Sequence, residues 1–157
     1  MAYSRYEEEG NMSRYLKLLA VGILPLATGY LFNRFLFLFD IFISIKVFPV
    51  ALLILWGILA FSISSAEKCP IVQSFMLCAF GLLMLVLVLY QELVLGHYWP
   101  NTIGVFSQSF FTPFLSLGMW VTLFLPVSRI WPAYIATWLC IFAASCVGCI
   151  QKTRKLR

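Results

Sequence analysis

Charge is what this chain lacks: the sixty positions from Cys69 to Ser128 hold a single formally charged residue, Glu92. Charged residues are only 11% of the whole chain, against about a quarter in soluble domains, so a water-facing globular domain is excluded. Histidine is nearly missing, with His97 alone. That removes the paired-histidine zinc helix of HExxH enzymes, and no Gly-rich phosphate loop or GxSxG nucleophile elbow occurs either. No run rich in Pro, Gly or Ser is long enough to link two folded units, and no internal repeat is evident.

What remains is apolar. The chain is 62% hydrophobic, with a mean hydropathy of +0.95. A domain of 157 residues cannot hide that much apolar surface in its own core, because small globular domains leave much of their surface outside. Lipid must cover the rest. A hydrocarbon layer of about 30 Å takes about 20 apolar residues per helical crossing, which predicts an all-α polytopic transmembrane bundle of about five helices.

The expected crossings are 15–32, 41–63, 71–95, 103–125 and 133–150, forming one transmembrane domain over 15–150. A polar, acidic N-terminal tail (1–14, with Glu7, Glu8 and Glu9) precedes it, and a basic tail (151–157) follows. Asp40 and Lys46 blur the start of the second crossing, so 33–46 reads equally as loop, interfacial helix or span. A cleaved leader is the competing reading of the first crossing, disfavoured by the three glutamates before it. Trp99, Trp131, Tyr98 and Tyr134 fall at predicted boundaries, where amphipathic rings anchor at the headgroups. Pro25, Pro49 and Pro113 mark bends.

Orientation follows Lys and Arg in short flanks rather than net charge. Five crossings put the termini on opposite sides. With the C-terminus inside, six cations lie inside and five outside, a narrow margin for a cytoplasmic C-terminus in a plasma or cytoplasmic membrane. The Asn11-Met12-Ser13 triplet fits a glycosylation acceptor, a pattern frequent by chance.

Four groups of residues could carry function. The first is the end of the third crossing, Gln91 to Asn101, which holds Glu92 and the only histidine, His97; intramembrane ionisable groups are candidates for proton or solute binding. Against this, Glu92 sits close enough to the boundary to reach water, and five residues place His97 off its helical face. The second is Gly104, Gln108, Thr112 and Ser116 at four-residue spacing, with Gln108 and Thr112 able either to line a wet path or to hydrogen-bond across a helix seam.

The third is a small-residue row, Ala136, Cys140, Ala144 and Gly148, which favours close helix packing. The fourth is Cys146 and Cys149. Their CxxC spacing has the form of a redox or metal motif, yet two thiolates without further ligands do not close a zinc site, and a helix C-terminus disfavours thiolate. Inert or acylated thiols are the other readings. No metal or cofactor is expected.

The composition thus favours a non-catalytic membrane component that works through helix packing, with the bilayer, a second copy or a larger membrane protein as partners. A transporter or channel for a neutral or weakly charged solute is the alternative, and a membrane thiol oxidoreductase the weaker one. The short basic tail gives no reason to expect nucleic acid.

Overall fold

The computed structural model describes Met12 and residues 15–39, 47–65, 67, 69–123 and 129–155, those from 34 to 39 by backbone alone. Glu7–Glu9, Asp40, Lys46 and residues 124–128 therefore lie outside the described residues. Every regular element among the described residues is helical. Helical residues 15–21 pass through a turn at Gly22 and Ile23 into α1 (Leu24–Phe39); then come α2 (Val47–Ile63), α3 (Pro70–Leu89, widening into a π turn at Tyr90–Leu95), α4 (Thr102–Phe111), α5 (Leu115–Thr122) and α6 (Trp131–Lys155).

Among the described residues, three helices are long and apolar enough to cross a membrane: Tyr15–Asn33 with 19 residues, Pro70–Leu95 with 26 and Trp131–Lys155 with 25. Val47–Ile63 is apolar but shorter, with 17 residues. Their outward faces are bare hydrocarbon, including Ile54, Leu55 and Ile58 on α2, Ile71, Phe75, Leu83 and Val86 on α3, and Leu139 and Val147 on α6. Apolar patches on this scale belong against lipid or another protein rather than water. The molecule is a helical bundle with a membrane-type surface.

The core forms where α2 and α3 pack on α6. Pro70 starts α3 at a position where a missing N–H costs nothing, and Gly96 ends its π turn at φ 71, a left-handed cap that suits glycine. At mid-height the Trp56 indole N–H donates to Ser145 Oγ at 2.8 Å, and Ser145 donates to the Ile141 carbonyl at 2.9 Å. Cys78 Sγ lies 3.2 Å from the same hydroxyl. One buried serine thus joins three helices. Below it, Gly148 brings α6 against the backbone of α2: a β-carbon there would strike the Gly57 carbonyl and come within 3.0 Å of the Ala60 β-carbon.

The fourth expected crossing, 103–125, departs from a single continuous helix. It is two short helices, α4 and α5, separated at Thr112–Phe114, and 124–125 lie outside the described residues. The cause is local. Pro113 has no N–H to give the helix ladder, and Phe114 relaxes to φ −112, ψ −8. The break is buried: Pro113 and Phe114 are both enclosed, as broken backbone at membrane depth must be. After it, α5 lies against the first half of α6, where Gly118 abuts the Ala133 carbonyl and the Thr137 hydroxyl.

The flanks of this pair return to one place. Trp99 N–H, before α4, and Ile130 and Trp131 N–H, after α5, are bound by the neighbouring residues Gln91 and Glu92. Residues 99–131 therefore leave and rejoin the same end of α3. The last helix, expected at 133–150, begins at Trp131 and continues through Lys155, so most of the expected basic tail is helical.

Candidate functional site

The polar centre of the bundle is the π turn at Tyr90–Leu95, where Gln91 and Glu92 face different partners. Gln91 is fully buried. Its amide donates to Ser107 Oγ and to the Leu87 carbonyl, both at 3.2 Å, and its carbonyl accepts from Trp99 N–H at 2.9 Å. One side chain thus fastens α4 and the loop before it onto α3. Asn101 then starts α4 by accepting from Gly104 N–H at 2.9 Å, the usual service of an Asn N-cap.

Glu92 divides its two oxygens. Oε2 accepts from the Tyr98 hydroxyl at 2.6 Å; Oε1 accepts from Ile130 N–H at 3.0 Å and Trp131 N–H at 3.1 Å. These amides open α6, so the carboxylate is a cap delivered from another helix, with its charge at the positive end of the α6 dipole. Tyr98 also bonds to Tyr134 one turn into α6. Burial, and after it the hydrogen bond to Glu92, push the Tyr98 phenol above the usual tyrosine range, keeping it a neutral donor.

His97 is not part of this arrangement. It is exposed, with Nδ1 2.9 Å from the Leu95 carbonyl. Thr112 turns its hydroxyl back onto the Gln108 carbonyl at 3.1 Å, as Thr does inside helices. No described hydrogen bond joins Gln108 or Thr112 to Glu92 or His97. On α6, Ala144 and Gly148 lie against Gly57 of α2, Ala136 is buried and Cys140 half-buried. The fourth span's Gly104 packs instead on Trp99 of its own loop.

All five cysteines are free thiols. Cys149 is buried and hydrogen-bonded to Ser64 and Ser74, whereas Cys146, one turn earlier, is half-buried. No group of three or more His, Cys, Asp or Glu is placed to hold a metal among the described residues.

The opposite end of α3 repeats the glutamine device. Gln73, fully buried, accepts from Ser65 N–H at 2.6 Å and donates to the Ser65 carbonyl at 2.9 Å, holding the α2–α3 loop. Gln73, Ser107 and the 130–131 amides are not among the residues that the sequence singles out, and Tyr134 reads there only as a boundary anchor. The only available signal was a polar residue in an apolar helix, and nothing in the sequence names the partner across a separation of 38 or 39 positions.

Comparisons with protein-family models, with curated proteins and with solved structures return no match.

Proposed function

We propose that this chain is a non-catalytic integral membrane component of a cytoplasmic or plasma membrane, acting through contacts of its helix faces with itself or a larger membrane protein. The observation that carries this reading is the occupation of Glu92. The best-placed intramembrane carboxylate already accepts three hydrogen bonds from the chain itself, so its chemistry is directed to holding the bundle shut. Gln91 supports the same reading, its amide and carbonyl both engaged within the chain.

In the proposed topology, the first helical segment, α2, α3 and α6 cross, and α4–α5 is a hairpin that enters and leaves on one side. Gly22 sits beside the Leu77 carbonyl, and Asn33 further along donates to Ser109 of α4, whose Ser107 is bound by Gln91 at the far end of α3, which together support the first segment running alongside α3 in the same direction. Both termini then share a side. That side collects Arg5, Arg14, Lys17, Lys68, Lys152, Arg154, Lys155 and Arg157, leaving Arg34, Lys46 and Arg129 opposite. The positive-inside rule then puts both termini in the cytoplasm by a wide margin.

The test is purification in mild detergent followed by native mass measurement. A second copy or a distinct membrane chain in stoichiometric amount is expected; a lone monomer, with proton or solute flux in liposomes abolished by Glu92→Gln, would replace this reading. The transport alternative has one observation in its favour, the buried break at Thr112–Phe114, since discontinuous helices form many transporter sites. The space beside Phe114 is small, about 100 Å³, and lined by apolar groups except for Thr28.

A further inference from the structure

An open groove of about 440 Å³ runs between α2 and α6, floored where Gly57 and Gly148 remove side-chain bulk and walled by Leu53, Ile54, Ile58 and Val147. Its volume lies within the usual range for small-molecule sites. Its length is hydrocarbon, but one end is not: at Phe61 and Gln151 the groove meets the last turn of α6. There Lys152 Nζ stands 4.9 Å and Lys155 Nζ 6.0 Å from the centre of the Phe61 ring.

The described residues include two carboxylates, and Glu67 is exposed in the loop after α2. Glu92 caps the opposite end of a helix of 25 residues, about 37 Å away at 1.5 Å per residue. An apolar slot that terminates in two ammonium groups and an amide matches one molecule end to end: an acyl chain joined to an anionic headgroup.

We propose that this groove is a binding site for an anionic glycerophospholipid, with one acyl chain lying over Gly57 and Gly148 and the phosphate held by Lys152, Lys155 and Gln151. The site rests on membrane residence but not on the partner reading above. Two cations at the headgroup favour an anionic over a zwitterionic lipid, each contributing in the direction expected for basic residues at a membrane surface. Where the two glycines meet, the outer side of the α2–α6 seam has no side chains, so the acyl chain lies in a trough rather than on a flat face.

The experiment uses the full-length protein reconstituted in vesicles of equal phosphatidylglycerol and phosphatidylcholine, extracted in mild detergent, with retained lipid counted by mass spectrometry. Phosphatidylglycerol is expected to be enriched by about tenfold. Lys152→Gln with Lys155→Gln should bring the two lipids to near parity, and the Lys→Arg pair should preserve the enrichment. Gly57→Leu should cut total retained lipid. Its β-carbon meets nothing closer than the Ala144 carbonyl at 3.5 Å, and Ile58→Trp at the exposed rim blocks the groove without touching the core.

Equal retention by the wild type, or enrichment that survives both the charge pair and the groove blockers, overturns the proposal. So does a change of oligomeric mass in the blockers without loss of lipid, which would assign the groove to a second copy's helix. Displacement of bound lipid by inorganic phosphate alone would also overturn it, by reducing the site to its cations. Because these readouts are lipid counts, they can fail while stoichiometric partners persist, and the reverse.

Discussion

The two ends of α6 solve the helix-end problem in opposite ways. At its start, the free amides of Ile130 and Trp131 are met by Glu92 from α3, which is itself bonded to Tyr98. At its finish, Lys152, Arg154 and Lys155 suit the negative end of the dipole, and Lys152 and Lys155 lie over the Phe61 ring with no described carboxylate delivered to them. A sealed end fixes geometry; an open end selects surroundings. The contrast explains why the residue with the most chemical promise in the sequence serves architecture, and why the tail that looked like a topology signal has the better claim to a ligand.

The largest expected effect tests whether the basic end also depends on tight packing. Gly148→Leu forces a side chain into the Gly57 carbonyl and the Ala60 side chain, and overpacking of this kind costs about 3 kcal/mol or more when backbone must move. Unfolding in a denaturing detergent should show that loss. If Gly148→Leu is neutral, α2 and α6 do not approach as described and the groove between them has a different shape.

Next comes the sealed end. Glu92→Ala strips the acceptor from two amides and a phenol, which predicts a loss of about 2–3 kcal/mol. Glu92→Gln keeps one carbonyl acceptor and should recover about half. Hydrogen exchange should rise first at Ile130 and Trp131. An equal cost for Ala and Gln would mean that charge against the helix dipole outweighs the hydrogen bonds. The paired glutamines sharpen the comparison: Gln91→Leu should cost about 2 kcal/mol, and Gln73→Leu, which frees the Ser65 amide and carbonyl of the α2–α3 loop, should also destabilise the bundle.

Much of this architecture was legible in the sequence. The charge-free stretch forced helices into lipid, the third crossing was bounded at 71–95, and Pro113 marked a bend. What stayed hidden was the depth of that bend. Hydropathy over 103–125 is continuous, and only the ties of Trp99 and Ile130 to adjacent residues on α3 place both flanks at one end. Likewise, Glu92 and His97 were grouped by nearness in sequence, but the left-handed turn at Gly96 carries His97 outward while Tyr98 comes back to the carboxylate. Long-range partners of polar residues have no local signature, and this site is made of them.

Tyr98 offers a smaller, pH-dependent contrast. Its folded-state pKa is raised, so its contribution is complete below the ordinary tyrosine pKa of about 10 and fades as pH climbs beyond it. Tyr98→Phe should lower stability at pH 8 by about 1 kcal/mol, and the gap from wild type should narrow between about pH 10 and 12, where the wild type alone loses this term. A gap that widens instead would mean that the phenol enters the folded state ionised.

The smallest effect belongs to the open end, and its smallness is the point. Lys152 and Lys155 lie over Phe61 near solvent, where cation–π contacts are worth about 0.5–1 kcal/mol, and both help the C-terminal dipole by a similar amount. Gln at both positions retains the methylene stems that cover the ring, so in neutral detergent the double variant should unfold within about 1 kcal/mol of wild type. With anionic lipid present the difference should grow, because only the wild type gains from a ligand that binds the folded state. If the gap is already large without lipid, the lysines hold the bundle together themselves. The two ends of α6 would then differ in sign of charge alone and not in what they are for.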